Sequence, residues 1–337
     1  MKEAYLYQKL DDNKVKCNLC AHRCIIKSGK LGICKVRENI EGTLYTKVYG
    51  RTIARHVDPI EKKPLYHFYP GSEAYSVATP GCNFHCLFCQ NWDISQITSP
   101  KVYDAGIEAT PEQIVKDAKD SGCKSIAYTY TEPTIFFEYS YDTAKLAHKA
   151  GIKNVYVSNG YMTDEMLDMI SPYLDAVNID LKAFKEETYK RLIGARLQPV
   201  LDSLKKIKQL GIWLEVTSLI IPEINDNPEE IHSMANFVAK ELDVNVPWHL
   251  SRFYPAYKMN EAEVTQLTTL QKAKNIGREA GLKYIYIGNV AGTDDMNTIC
   301  PLCGYMLIER SGFGVRRNNI KNGHCPRCQM EIAGVGL

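Results

Sequence analysis

From residue 73 onward the chain alternates between two hydrophobic patterns. Short continuous apolar runs, rich in β-branched and aromatic residues, read as strands buried on both faces: 73–79, 124–130, 153–158, 176–181, 212–220, 244–253 and 283–288. Between them, apolar positions recur at helical spacing. Thr110-Pro111-Glu112-Gln113 opens one helix with a cap, a proline at the first helical position and a capping-box partner. Segments 140–149 and 198–210 are others, stopped by Gly151 and Gly211. Asp226-Asn227-Pro228-Glu229 starts a further helix, running to about Leu242. Such alternation predicts an α/β fold with a parallel sheet. Seven strands, with no eighth in the pattern, predict a partial (β/α) barrel of TIM-like kind, open on one side. Ligand-handling residues then gather at the C-terminal strand ends. The chain thus divides into a lead-in (1–72), the barrel (73–292) and a tail (293–337).

Composition narrows the class. The 337 residues are 45% hydrophobic and 24% charged, an ordinary globular balance. A net charge of +2, with no basic stripe beyond Arg316-Arg317, argues against nucleic acid as a partner. No apolar stretch approaches the roughly 20 residues that span a bilayer, and the amino terminus lacks the apolar core of a signal peptide. These features predict a cytoplasmic protein without membrane attachment. In that setting 12 cysteines argue for metal rather than disulfides. They fall as four, three, one and four, and the lone Cys123 reads as a plain buried thiol.

The three are Cys82, Cys86 and Cys89, in C-x3-C-x2-C spacing directly after the first barrel strand. Three thiolates on one short loop can hold three irons of a [4Fe–4S] cluster and leave the fourth iron open to a small molecule. Phe88 would pack over such a cluster and dry it. A zinc site completed by a distant ligand such as His85 is the competing reading.

The triple with Phe88 is the signature of the radical S-adenosylmethionine (SAM) superfamily, which the chain resembles. The wider likeness is to the radical-SAM member of the AmmeMemoRadiSam system, a relative of the glycyl-radical-enzyme (pyruvate formate-lyase) activases. It rests on His56-Val57-Asp58-Pro59-Ile60-Glu61-Lys62-Lys63-Pro64-Leu65, the cysteine loop, Tyr128-Thr129-Tyr130-Thr131-Glu132-Pro133-Thr134 and Asn178-Ile179-Asp180-Leu181-Lys182. The resemblance implies a partial barrel, a [4Fe–4S] cluster whose open iron binds SAM, and reductive cleavage of SAM to a 5′-deoxyadenosyl radical that takes hydrogen from a substrate. It also implies a low-potential electron donor of ferredoxin or flavodoxin type. The substrate side would be a glycyl radical enzyme, or a step shared with Memo-like and AMMECR-like proteins.

Three strand-end motifs sit where that family binds SAM. Glu132 and the Thr131 backbone stand where the family has a Gly-Gly-Glu-type stretch for the SAM ammonium, although no Gly-Gly is present. The same Glu132-Pro133 also suits a helix start. Ser158 and Asn159 would meet the ribose or carboxylate of SAM, or make a simple turn; Val157 replaces the acid common in activases. Asp180 and Lys182 point to one side of their strand, where Lys182 would pair with the SAM carboxylate and Asp180 with the ribose, or the two with each other. Farther round, Glu215 and Thr217, then His249 and Ser251, put polar groups on strands. His249 corresponds to an activase histidine for SAM, or is a satisfied core residue. Arg252, Tyr254 and Asn289 are weaker candidates for substrate contact.

Two cysteine quartets flank the barrel. Cys300, Cys303, Cys325 and Cys328 form two CxxC knuckles with 21 residues between the pairs, as in a zinc ribbon or, with Gly304-Tyr305 after the first pair, a rubredoxin-like single-iron site. A tail of this size needs a metal in order to fold, and its distance in sequence from the SAM motifs predicts a peripheral module. Cys17, Cys20, Cys24 and Cys34 have C-x2-C-x3-C-x9-C spacing, suited to zinc or an auxiliary cluster. A multi-centre iron–sulfur electron-transfer protein without SAM chemistry is the alternative function.

Overall fold

The computed structural model describes residues 1–97 and 106–337. Its centre is an eight-stranded sheet in which every strand lies beside its predecessor in sequence. β1 (Ala54–Pro59) pairs antiparallel with β2 (Glu73–Ala78). From β2 the sheet runs parallel through β3 (Ser125–Tyr128), β4 (Lys153–Ser158), β5 (Ala176–Asp180), β6 (Trp213–Ile220), β7 (Trp248–Arg252) and β8 (Ile285–Gly288). β1 and β8 are its two ends, so the sheet is an open one. The seven parallel strands are those the apolar runs indicated. The eighth, β1, escaped the pattern because Ala-Arg-His-Val-Asp-Pro is largely polar and half exposed, as an antiparallel edge strand is.

The longer helices between strands are α1 (Pro111–Asp120), α2 (Phe137–Lys149), α3 (Asp164–Ile170), α4 (Gln198–Gln209), α5 (Pro228–Asn236) and α6 (Leu267–Glu279). Thr110 caps α1 by accepting from the Gln113 amide, and Asn227 caps α5 through Glu230. The Gln113 side chain turns outward to Asp117, so the box expected there is only half made. Past α5 the chain loosens into a π turn over Phe237–Leu242 rather than continuing as α-helix. The strand side chains facing the helices form one continuous core.

Ahead of the sheet, residues 2–46 form two small three-stranded antiparallel sheets. They dock on α2: Arg37 and Glu138 make a fully buried ion pair, and Tyr5 donates its amide to Glu138 at 2.9 Å. The tail is a three-stranded sheet, β9 (Thr298–Ile299), β10 (Met306–Ser311) and β11 (Gly314–Asn318). It is not peripheral. Residues 60–71, linking β1 to β2, run beneath the sheet, and the tail closes over them. Val335 makes a parallel bridge to Phe68, and Arg310, buried to 5% exposure, donates to the Tyr66 carbonyl at 2.8 Å. The other flank of the tail meets β8 through the Tyr286–Thr298 hydroxyl contact at 2.9 Å. No helix among the described residues is long and apolar enough to cross a membrane.

Candidate active site at the mouth of the sheet

A cavity of about 550 Å³ opens at the C-terminal ends of the strands, a size in the range of small-molecule sites. Cys82, Cys86 and Cys89 line it together with Phe88. Their loop follows β2 and is clamped by backbone: His85 and Leu87 donate to Ile193 and Leu192 at 2.8 and 2.9 Å, and Leu87 accepts from Lys258 at 3.0 Å. His85 points outward to Gln96, which removes it as a fourth ligand for a zinc ion. Burial pushes the Cys82 thiol well up and the Cys86 thiol up to about 12, the latter against the pull of Lys182. Thiols in that state give up their protons readily only to a metal centre, whose positive charge offsets the burial.

The strand-end residues converge on the same space. Thr131, Glu132, Ser158, Asn159, Asp180 and Lys182 all line it, with Thr217 and Ser251 on the far wall. Glu132 is 1% exposed and heavily bonded. Its carboxylate accepts from the Asn159 amide at 2.8 Å, the Ser158 hydroxyl at 2.7 Å and the Thr134 amide and hydroxyl at 3.0 and 2.6 Å. It therefore also caps the short helix Pro133–Phe136, as the helix-start reading anticipated. Burial raises its pKa in spite of these donors. Asn159 donates to the Asn83 side chain at 2.7 Å and lies 3.8 Å from the Cys82 sulfur. Lys182 and Asp180 form an ion pair at 2.8 Å. Burial opposes the Lys182 charge, but Asp180 and Cys86 outweigh it and raise the pKa.

The family match covers this site. The Radical SAM superfamily model spans residues 76–238, which include the three cysteines and the strand ends of β2 through β6. Over 334 residues the chain is 47% identical to the uncharacterized protein MJ0808 of Methanocaldococcus jannaschii, covering 98% of this chain and 99% of that protein. The chain belongs to the radical SAM superfamily. The pyruvate formate-lyase-activating enzyme of Clostridium pasteurianum is 23% identical over 60% of this chain and 87% of its own length. Streptococcus suis SuiB bound to S-adenosylmethionine superposes with a TM-score of 0.51 at 13% identity, over 69% of this chain and 53% of that one, a likeness of fold. This radical SAM protein is an enzyme with an iron–sulfur and SAM-binding function.

One expected residue is elsewhere. His249 lies below the cavity, donor to Glu215 at 2.7 Å and packed between Tyr66 and Tyr286. Glu215, fully buried, also accepts the Tyr66 and His67 amides at 2.9 and 2.8 Å and the Trp213 indole at 3.1 Å. Its burial is outweighed by His249, so its pKa is lowered. Inward-facing positions two apart differ in height by about 6–7 Å along a strand. Thr217 and Ser251 reach the cavity, whereas Glu215 and His249, one step down, do not line it. Arg252, Tyr254 and Asn289 bond to one another at the rim.

Other site residues were given no role in the sequence, although most lie in the motifs that carry the resemblance. Asp58, on β1, accepts from Lys62 and Lys63 at 2.7 Å each, from Ser76 at 2.8 Å and from the Tyr130 hydroxyl. Burial of its carboxylate is overcome by these four donors, so its pKa falls. Lys63 is 1% exposed, and burial brings its pKa down to about 8 against the pull of Asp58. Lys62, Lys63 and Tyr130 form one wall of the cavity. The signal was the His-Val-Asp-Pro-Ile-Glu-Lys-Lys run, whose residues close a loop on themselves. Asn83, fully buried beside Cys82, is the other residue missed.

The tail quartet is drawn tight. Cys300–Cys328 and Cys303–Cys325 sulfurs are 3.6 and 3.7 Å apart, and all four lie within 4.8 Å of one another. A tetrahedral ion with metal–sulfur bonds of ~2.3 Å holds its sulfurs about 3.8 Å apart, so the tail fits a single ion.

Proposed function

We propose that this protein cleaves SAM reductively at Cys82, Cys86 and Cys89, and that the product radical acts on a protein, as in the glycyl-radical activases, or on a small molecule. The observation that supports it best is the convergence of the three thiols of Cys82, Cys86 and Cys89 with Glu132, Asp180 and Lys182 on one cavity. A [4Fe–4S] cluster on the three thiolates, with SAM on its open iron, would supply an electron to the sulfonium and yield methionine and a 5′-deoxyadenosyl radical.

The chain's own residues do the placing. Lys182, held by Asp180, presents an ammonium for a carboxylate. Glu132 fixes the Ser158–Asn159 turn, and with the Thr131 backbone offers acceptors for an ammonium. Phe88 and Leu219 keep water from the inner wall. Lys62, Lys63 and Tyr130 remain for the substrate. The tail quartet would hold zinc or a single iron, and Cys17, Cys20, Cys24 and Cys34 a second centre. A ferredoxin- or flavodoxin-type donor, together with Memo-like and AMMECR-like proteins or a glycyl radical enzyme, completes the set of partners, in a cytoplasmic setting.

The test is anaerobic reconstitution followed by SAM. A change in the electron paramagnetic resonance (EPR) spectrum of the reduced protein and release of 5′-deoxyadenosine are expected, and Cys86→Ala abolishes both. Full cleavage by Cys86→Ala with dithionite, or a spectrum indifferent to SAM, favours the multi-centre electron-transfer reading. Mass spectrometry of candidate partner proteins then identifies the substrate.

A further inference from the structure

The amino-terminal quartet does not share the geometry of the tail. Cys17, Cys20, Cys24 and Cys34 line one cavity with His22 and Arg37. Among the described residues only the tail quartet gathers its sulfurs within 4.8 Å of one another. Neither the amino-terminal four nor Cys82, Cys86 and Cys89 bring three sulfurs that close together. A single tetrahedral ion with metal–sulfur bonds of ~2.3 Å requires the tight spacing. A cluster, with its irons at the corners of a cube, requires the wide one.

Arg37 shows what charge the occupant carries. The side chain is 2% exposed; Nη2 pairs with Glu138, while Nε and Nη1 have no hydrogen-bond partner among the described residues. Its charge acts on Cys17 and Cys34. Two buried donors beside four thiols call for an anionic acceptor. A thiolate-ligated cluster is such an acceptor, through both cysteine sulfur and bridging sulfide.

The cavity also adjoins the first site. The His22 ring nitrogen lies 2.8 Å from the carbonyl of Asn83, the residue after Cys82. A Cβ on Gly81, the residue before Cys82, would stand 2.7 Å from Val36 and 3.4 Å from the Cys34 carbonyl. The two cysteine loops thus share a wall.

We propose that Cys17, Cys20, Cys24 and Cys34 hold a second [4Fe–4S] cluster, ligated by all four thiolates, beside the SAM site. It names the occupant of the second metal centre proposed above and does not depend on SAM cleavage. With no open iron, this cluster takes up and passes on single electrons and binds no SAM.

The experiment uses full-length Cys82→Ala/Cys86→Ala/Cys89→Ala protein, reconstituted anaerobically with iron and sulfide. The tail's single ion brings no sulfide, so acid-labile sulfide counts clusters alone. About four sulfides per chain are expected, against about eight in the unsubstituted protein. Dithionite should produce a cluster EPR signal that SAM leaves unchanged, and that signal should vanish when Cys20→Ala and Cys34→Ala are added. Zinc at two sites per chain with no sulfide in the triple variant would overturn the proposal. If the triple variant does not fold, the unsubstituted protein decides: about eight sulfides uphold the proposal and about four overturn it. SAM response is read separately in the unsubstituted protein, so failure of the SAM reading leaves this count intact.

Discussion

Replacing Arg310 by Met should destabilise the whole chain rather than the tail alone. The guanidinium side chain is 0% exposed and sits where the tail meets residues 60–71. It donates to the Met296 carbonyl at 3.1 Å, the Thr298 hydroxyl at 2.8 Å and the Tyr66 carbonyl at 2.8 Å, and lies 4.3 Å from the Tyr66 ring centroid. Its charge is balanced by Glu61, also 0% exposed, at 3.5 Å. Met fills much of the volume, so the loss is mainly electrostatic. Breaking a buried pair from one side costs about 3–5 kcal/mol, because the other charge is left unpaired. Thermal or urea unfolding at saturating metal, followed by the tyrosine and tryptophan signal of the barrel, measures it. Two further results are expected. Glu61→Gln in the same chain should recover part of the loss, since the amide carries no charge. The single variant should also be less impaired at lower pH. There Glu61, its pKa already raised by burial, would be raised further without Arg310. The folded state then binds the extra proton, and stability falls as pH rises through that window. A single-variant loss below about 1 kcal/mol, or a double variant no better than the single, refutes the view that this pair joins tail to barrel.

Lys182→Met should weaken SAM binding about 10- to 100-fold, the loss of one charge-assisted hydrogen bond, with cluster iron unchanged; a titration of the SAM-dependent EPR change measures it. His67 is neutral when folded, its pKa brought down to about 4 by burial, with one ring nitrogen on the Ala333 carbonyl and the other on the Tyr286 hydroxyl. The unfolded state binds the proton first, so stability on the order of 3 kcal/mol is present above pH ~6.5 and lost as pH falls toward about 4. His67→Gln should flatten denaturation midpoints across that window, and an unchanged slope would remove His67 as the cause. Deleting residues 293–337 should leave the barrel aggregating or partly unfolded, and circular dichroism showing an intact barrel would contradict the packing described.

Much of this was legible because the barrel strands bury both faces. Ile-Ala-Tyr and Val-Tyr-Val runs have no polar alternation to disguise them, and Thr110-Pro111 and Asn227-Pro228 mark helix starts by local chemistry. The cysteine spacing and the Glu132, Asp180 and Lys182 strand ends led to one cavity for the same reason. Height within the barrel was not legible. Alternation tells that His249 faces inward; only the length of the strand above it tells that Ser251, not His249, reaches the mouth. Nor could sequence distance reveal that Val335 lies beside Phe68. The Asp58 cluster is a tertiary arrangement, since Ser76 joins it from β2 and Tyr130 from just past the end of β3. Sulfur separations, which set the two quartets apart, depend on how loops close and leave no mark in C-x-x-C spacing.

The tail's position bears on biosynthesis. Because each strand neighbours its predecessor, the sheet can assemble in the order in which the ribosome delivers it. Its underside cannot be sealed on that schedule. The residues that cover Phe68 and His67 are Ala333 and Val335, which follow every strand of the sheet in sequence, and the fold that carries them awaits all four of Cys300, Cys303, Cys325 and Cys328. Until the tail is made and loaded with metal, the nascent sheet exposes Tyr66, Tyr284 and Tyr286, the apolar surface that the tail covers. Metal supply would then set how long newly made chains remain vulnerable to chaperones and proteases. Shortage of the tail's ion should appear first as reduced abundance of the protein, before any loss of activity per molecule.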